Sequence, residues 1–350
     1  DPTTSGTTEQ SMTGDPDATS LPGTDTGTSE TTEGSETTGA PVTTALDVGP
    51  PAAYQHVFTI DPFAASNITS FTGMWGDTTH ALQATAMVFH ALGKLWRKSL
   101  PGGEPKRLTG NEGLYEYEPS FSADGDKLLY TTWSDAAMGA IYVRNANGSG
   151  KGTRLTDDKG FYYHPRFSPD GSRVVYSKSG GSGLTGSLWS ADRGVYVMPA
   201  RGGTPVRVAD TGSSPQFSAD GSRVLYLTGG GLEKKLMSVG LNGEDPREVF
   251  NLKYVDSVQV SPDGKWVAFT ELFNAYVAPM VSTGKPVELS KDSKAIPVTA
   301  VSADVGSYLH WAADSESLHW MVGDKYHSRA LDESFAFLTD GNNEIAKPVH

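Results

Sequence analysis

One short phrase, written several times, constrains this chain more than any other feature: an aromatic or apolar residue, Ser-x-Asp-Gly, then an apolar run. It reads Phe121-Ser122-Ala123-Asp124-Gly125 before Leu128-Leu129-Tyr130, and Phe167-Ser168-Pro169-Asp170-Gly171 before Val174-Val175-Tyr176. It returns as Phe217-Ser218-Ala219-Asp220-Gly221 and as Val260-Ser261-Pro262-Asp263-Gly264, with a worn copy at Trp311-Ala312-Ala313-Asp314-Ser315. The five Asp positions lie 46, 50, 43 and 51 residues apart. Periods of that length belong to stacked or radially repeated β units.

The order of residues predicts a hairpin turn at each copy. Ser suits the first position of a type I turn, Pro the second and Gly the last. Gly takes the left-handed conformation that closes a short hairpin loop. The Asp carboxylate accepts turn N–H groups. Asp124, Gly125, Asp170, Gly171, Asp220, Gly221, Asp263 and Gly264 are therefore read as structural turn residues, and none is assigned to catalysis.

A second phrase closes each unit. Ile141-Tyr142-Val143 leads through Asn147-Gly148 to Thr153-Arg154-Leu155, and Val195-Tyr196-Val197 through Gly202-Gly203 to Val206-Arg207-Val208. Leu236–Val239 leads to Arg247-Glu248-Val249, and Ala275-Tyr276-Val277 to Pro286–Leu289. Each unit then reads as four antiparallel strands, the blade of a β-propeller. Residues 86–109 read as a further blade whose Asp-Gly turn has been lost near Asp77–Gln83, with residues 61–78 as loop. The expected fold is all-β: a six-bladed propeller over 54–340, with a tail at 341–350. Gln55–Ile60 and Ser334–Leu338 are the candidates to close the ring. Residues 1–50 hold fifteen Thr and almost nothing large and apolar, a composition that cannot offset the entropy of ordering, so they read as a disordered spacer.

Charge and composition exclude several classes. Residues 1–50 carry nine acidic residues and no Lys or Arg, so the remainder holds only −4 of the net −13. A near-neutral folded part lacks the basic patch that nucleic acid requires. With no Cys, neither a disulfide framework nor a Cys-based zinc site can form. No Gly-x-Ser-x-Gly elbow occurs. Gly148–Thr153 imitates a phosphate loop but lacks its upstream Gly and sits in a hairpin turn. His310, His319 and His327 are weighed as metal ligands and read instead as packed or hydrogen-bonded sheet residues, since no Asp or Glu completes a ligand spacing. No metal or cofactor is expected.

The candidate site lies just ahead of each copy of the first phrase. Tyr115, Tyr117 and Glu118, then Tyr162, Tyr163 and His164, then Ser214 occupy corresponding places in successive blades. Such positions converge on one mouth of a propeller's channel, where loops on a rigid frame gather binding residues. Packing between blades is the competing explanation for the Tyr residues. Ser134–Gly139 and Lys178–Arg193 are the longest insertions and are expected to cap a face.

The repeats resemble those of TolB-type propellers, periplasmic relatives of the WD-type propellers. They are more similar still to secreted bacterial proteins in which such a propeller precedes an amidohydrolase domain. The phrases that carry this likeness include Ala91–Trp96, Gly102–Thr109, Tyr117–Ser122, Tyr130–Asp135, Pro286–Ala295, Tyr308–Trp311 and Ser334–Leu338. In that group a metal-dependent barrel follows, opening with a His-x-His pair. The eight His residues here contain no such pair, so the family's hydrolytic residues have no positions to occupy. The resemblance implies a non-catalytic module binding a protein partner, or an amidohydrolase domain that follows covalently or is encoded separately. It also implies an extracytoplasmic location, periplasmic or on the outer surface, with a membrane tether through the N-terminal tail and a lipid anchor ahead of residue 1. A stand-alone periplasmic protein binding a lipoprotein, and a hydrolase or lyase working in the channel, remain alternatives.

Overall fold

Six sheets ring a central channel in the computed structural model, which describes residues 58–59, 74–76, 86–91, 93–99, 103–110, 113–180, 192–303, 305–322 and 325–331. The chain falls into two units, 1–44 and 45–350, and the sheets belong to the second. The tail read over 1–50, the lost turn near Asp77–Gln83 and Ser334–Leu338 lie outside the described residues. Among the described residues no helix is long and apolar enough to cross a membrane.

In chain order, β1 (Phe58–Thr59) precedes the first blade, which holds β2 (Met74–Gly76), β3 (Ala86–Ala91), β4 (Lys94–Ser99) and β5 (Lys106–Arg107). The second blade is β6 (Tyr115–Phe121), β7 (Lys127–Trp133), β8 (Ala140–Asn145) and β9 (Thr153–Arg154). The third is β10 (Phe161–Phe167), β11 (Arg173–Ser179), β12 (Gly194–Pro199) and β13 (Val206–Ala209). The fourth contains β14 (Ser213–Phe217), β15 (Arg223–Gly230), β16 (Glu233–Gly240) and β17 (Arg247–Lys253). The fifth begins with β18 (Val255–Val260), β19 (Trp266–Glu271) and β20 (Asn274–Pro279); β21 (Val287–Leu289) and β22 (Thr299–Ala300) follow. The last has β23 (Ser307–Trp311), β24 (Ser317–Val322) and β25 (Lys325–Ala330).

The ring closes through its beginning. β1 pairs antiparallel with β25, Phe58 opposite Tyr326, and so supplies the outermost strand of the last blade. Of the two candidates for closure, the Gln55–Ile60 stretch provides this strand.

Two readings of the sequence are corrected. Met74–Gly76, taken as loop, is the innermost strand of the first blade, with Trp75 opposite Met87. Val287–Leu289, taken as the outer strand of the fifth blade, instead joins the fourth. It pairs parallel to β17, Phe250 opposite Val287 and Leu252 opposite Leu289, giving that blade five strands. Burial explains the exchange. Leu289 is fully buried among Phe250, Leu252 and Leu236, whereas the outer strands β5 and β9 are exposed. Buried Glu271 fastens the end of the exchanged strand by accepting the Lys291 N–H at 2.7 Å. Thr299–Ala300 then completes the fifth blade against Tyr276 and Val277.

The repeated turns have one geometry. Ser168 Oγ donates to Asp170 Oδ1 at 2.5 Å, Asp170 Oδ1 accepts the Ser172 N–H at 3.0 Å, and Ser168 Oγ accepts the Arg173 N–H at 2.9 Å. Gly171, at φ +68°, donates back to Ser168 O at 2.8 Å. Ser218–Asp220–Gly221 and Ser261–Asp263–Gly264 repeat this, and Ser122 donates to Asp124 ahead of Gly125. Hydrogen bonds to its charged form, first from Ser168, hold the Asp170 carboxyl down at about 2. These carboxylates are consumed by their own turns, on the side of the ring away from the N-terminal ends of the innermost strands.

Candidate functional site

Four of the innermost strands, β6, β10, β14 and β23, are interrupted by a bulge near their entrance. Register shifts fall between Tyr117 and Ser120, Tyr163 and Arg166, Ser213 and Gln216, and Ser307 and His310. At the bulge a residue other than glycine adopts the left-handed conformation: Glu118 (φ +51°), His164 (+53°), Ser214 (+48°) and Tyr308 (+55°). Such a conformation costs about 1–2 kcal/mol in a residue with a Cβ. Its recurrence at one level of the ring marks the channel mouth as a site where strain is tolerated, a feature typical of functional positions.

Two blades meet there. Glu118 Oε2 accepts the His164 backbone N–H at 2.5 Å, and its other oxygen lies 3.9 Å from His164 Nε2. Burial raises the Glu118 carboxyl to about 7, against the opposing pull of the His164 N–H and Arg166. Burial, then Arg166, lowers His164 to about 4. The ring is therefore neutral around pH 7, and the 3.9 Å approach is a contact rather than an ion pair. Tyr117 and Tyr163 flank this pair; burial, then Glu118, raises both hydroxyls. The structure thus brings together Tyr117, Glu118, Tyr163 and His164. Ser214 occupies the equivalent bulge of the fourth blade, half-buried.

Tyr115 stands at the rim, 62% exposed, with its ring against Gly93 of the first blade; a Cβ on Gly93 would lie 2.5 Å from that ring. Tyr162 is a correction. Neighbouring strand residues face opposite sides, so with Tyr163 in the channel, Tyr162 points between the blades. It is buried against Tyr176, donates its hydroxyl to Asp158 O at 2.8 Å, and lines a cleft of roughly 540 Å³ at the blade junction. Glu116 has the same parity and is fully buried toward the first blade, accepting from Thr109 Oγ1.

Sequence reasoning missed the next ring down. Two residues beyond each bulge stand Ser120, Arg166, Gln216 and His310, and Gln259 holds the corresponding place on β18. Arg166 Nη2 reaches across the channel from the third blade to Gln259 Oε1 of the fifth, at 3.4 Å. Gln216 Oε1 accepts the Val260 N–H at 3.1 Å, and Trp311 Nε1 donates to Gln259 O at 3.0 Å. The available signal was the residue between Pro and the aromatic in Glu118-Pro119-Ser120-Phe121 and its copies. Trp133 was also missed; it stacks on Phe161 with centroids 4.6 Å apart, joining two blades at the rim.

The three His residues do not converge. His310 and His319 face each other on β23 and β24 and stack at 5.4 Å, whereas His327 pairs with Trp320 and lies on the other side of the sheet. Among the described residues no group of three or more His, Asp or Glu is placed to hold a metal ion. His310 Nδ1 contacts Tyr308 O at 2.8 Å and Nε2 contacts the Tyr326 hydroxyl at 3.2 Å.

Burial lowers His310 to about 4. Between pH 6.5 and 4 the unfolded chain therefore binds more protons than the folded one, and stability falls as pH falls through that window. Chemical denaturation at pH 6.5, 5.5 and 4.5 is expected to show this fall. In His310→Gln the slope is expected to be shallower by about one proton; an unchanged slope would mean that His310 titrates as it does when unfolded.

The model of the TolB beta propeller domain matches residues 117–291, half of the chain. No curated protein matches. Among solved structures, an oligogalacturonate lyase of Vibrio parahaemolyticus is 13% identical with a TM-score of 0.52, over 75% of this chain and 77% of that one. A second oligogalacturonate lyase, in complex with manganese, is 14% identical with the same score and the same coverage. TolB from Acinetobacter baumannii is 20% identical with a TM-score of 0.46, over 63% of this chain and 53% of that one. At a TM-score of 0.52 and such low identity, the two lyases share the fold alone with this chain. The match of the domain model over the repeats places the chain in its family: it belongs to the TolB β-propeller family.

Proposed function

We propose that this propeller is a binding module whose mouth face receives a protein partner. The observation that carries this reading is the placement of exposed apolar side chains. Of the eight large ones among the described residues, Tyr115, Leu232, Tyr254, Leu272, Phe273, Val305 and Tyr308 stand on the mouth face, and only Val206 lies elsewhere. The tips are linked, since Tyr254 N donates to Leu232 O at 2.8 Å and Gly306 N to Phe273 O at 2.7 Å. Leu272 and Phe273 both hold positive φ in a two-residue hairpin turn, where Asn-Gly would be relaxed. Exposed apolar surface concentrated on one side is characteristic of an interaction site, and aromatic residues are enriched at such sites. An amidohydrolase domain, joined or separate, is the partner that the family resemblance favours, in an extracytoplasmic setting.

A photo-crosslinking residue placed at Phe273 or Tyr115 is expected to capture one protein in the native host. The same residue at Lys127 or Arg173, beside the Asp-Gly turns, is expected to capture none. Tyr117→Ala with Tyr163→Ala is expected to weaken that capture while the melting temperature holds. Equal capture from both faces, or loss of folding in place of loss of capture, rejects the reading.

A further inference from the structure

The cleft between the second and third blades holds a cation without a counter-ion. Lys178 lines it and is 7% exposed. Strand pairing sets Lys178 opposite Tyr162 on one side and opposite Gly194 on the other. Its Nζ lies 5.7 Å from the centroid of the Tyr162 ring, a cation–π contact. Among the described residues no carboxylate or carbonyl receives any of its three N–H groups. A lysine is almost never buried unless paired, so this ammonium points to an anionic group supplied from outside the chain.

A second donor stands beside it. Tyr176 is two residues away on the same face of β11, and three tyrosine hydroxyls meet at the cleft. Tyr162 donates to Asp158 O at 2.8 Å and Tyr196 donates to Asp192 O. The Tyr176 hydroxyl donates to no described residue. Burial, then its two tyrosine neighbours, raises this hydroxyl, so it keeps its proton.

The rim carries the opposite sign. Asp157, Asp158 and Asp192 line the cleft and are exposed, with Asp192 held at φ +56°. The cleft's other cation, Arg207, is tied to Asp210 at 2.7 Å. The buried donors suit one carboxylate, whereas the rim repels further negative charge and favours a positive group toward solvent. Leu155 and Met198 give the cleft an apolar wall. Its roughly 540 Å³ falls in the usual range for small-molecule sites.

We propose that this cleft binds a small zwitterion, a free amino acid or a short peptide. Its carboxylate sits on Lys178 and Tyr176, and its ammonium faces Asp157, Asp158 and Asp192. The site does not rest on the protein-partner reading, because it lies between two blades and uses none of the exposed apolar tips.

The test is NMR titration of the whole chain with alanine and dialanine, followed at the amides of Leu155–Asp158 and Gly194–Met198. Saturable shifts confined to these amides are expected. Acetyl-dialanine, which lacks the positive charge, and dialanine amide, which lacks the negative one, should each bind more weakly. In Lys178→Met, which keeps an apolar stem, affinity should fall about tenfold or more, as for the loss of a hydrogen-bonded charge. Should that variant not fold, the double variant Asp157→Asn, Asp158→Asn carries the test, since both side chains are exposed. It should weaken dialanine and leave acetyl-dialanine no weaker. Tighter binding of alanine points to a free amino acid, and tighter binding of dialanine to a peptide. No saturation by either, unchanged affinity in Lys178→Met, or equal binding of acetyl-dialanine and dialanine overturns the proposal.

Discussion

Leu289→Ala is expected to lower the stability of the propeller by about 2–5 kcal/mol, the range for deleting a fully buried leucine side chain. The leucine has no exposed surface and packs on Phe250, Leu252 and Leu236 of the fourth blade. Its strand is held by only three register pairs, so the lost packing also loosens the pairing, and amide exchange at Phe250–Leu252 should rise with it. Val287→Ala should cost less, because Val287 is only half-buried. Urea titration of both variants checks the order: a lower midpoint for Leu289→Ala at unchanged slope supports the exchanged strand. Had this segment been an outer strand of the fifth blade, exposed like β5 and β9, the substitution would be close to neutral.

Trp320→Ala is expected to cost about 3–5 kcal/mol. Trp320 is buried on β24, packs with Trp311, Leu309 and Leu318, and stacks on His327 at 5.7 Å. The same cluster contains Ala268, Ala275 and Val277, so the substitution opens the junction between the fifth and last blades. The last blade is also the one that β1 completes, and its loosening should release the first strand. At about 2–4 °C per kcal/mol for a domain of this order, the melting temperature should drop by roughly 6–20 °C. Trp320→Phe should retain most of the stability. A small loss in Trp320→Ala would show that the junction does not depend on this ring.

The repeated turn made the architecture legible. Where Ser-x-Asp-Gly is intact, strand order and turn geometry follow from the residues themselves. Where it is worn away, as in the first blade, Met74-Trp75-Gly76 gave no alternation by which to see a strand. The exchanged strand was hidden for another reason: Val-Glu-Leu is equally suitable for either blade, and only the burial of Leu289 decides between them. The 51-residue spacing between Asp263 and Asp314, the longest in the chain, was its trace. At the mouth, sequence found Tyr117, Glu118, Tyr163 and His164 because they precede each copy of the phrase. It misplaced Tyr162 because the facing of a residue depends on strand parity, which a run of three aromatic residues conceals. It passed over Arg166 and Gln259 because their meeting, 93 residues apart, is a property of the closed ring.

The exchanged strand and the closing strand together bear on the order in which the molecule can be completed as it leaves the ribosome. The second and third blades are each continuous in sequence and can assemble as they emerge. The fourth cannot finish until Leu289 has been made, after three strands of the fifth are already available. The last blade waits in the opposite direction, for a strand made near the beginning and left idle until Tyr326 appears. Synthesis thus leaves two strands waiting at once, β17 for Val287–Leu289 and β1 for β25, and both find their neighbour only within the final stretch of the ring. A growing chain halted before residue 287 would expose both, and these are the points where a chaperone would have most to cover.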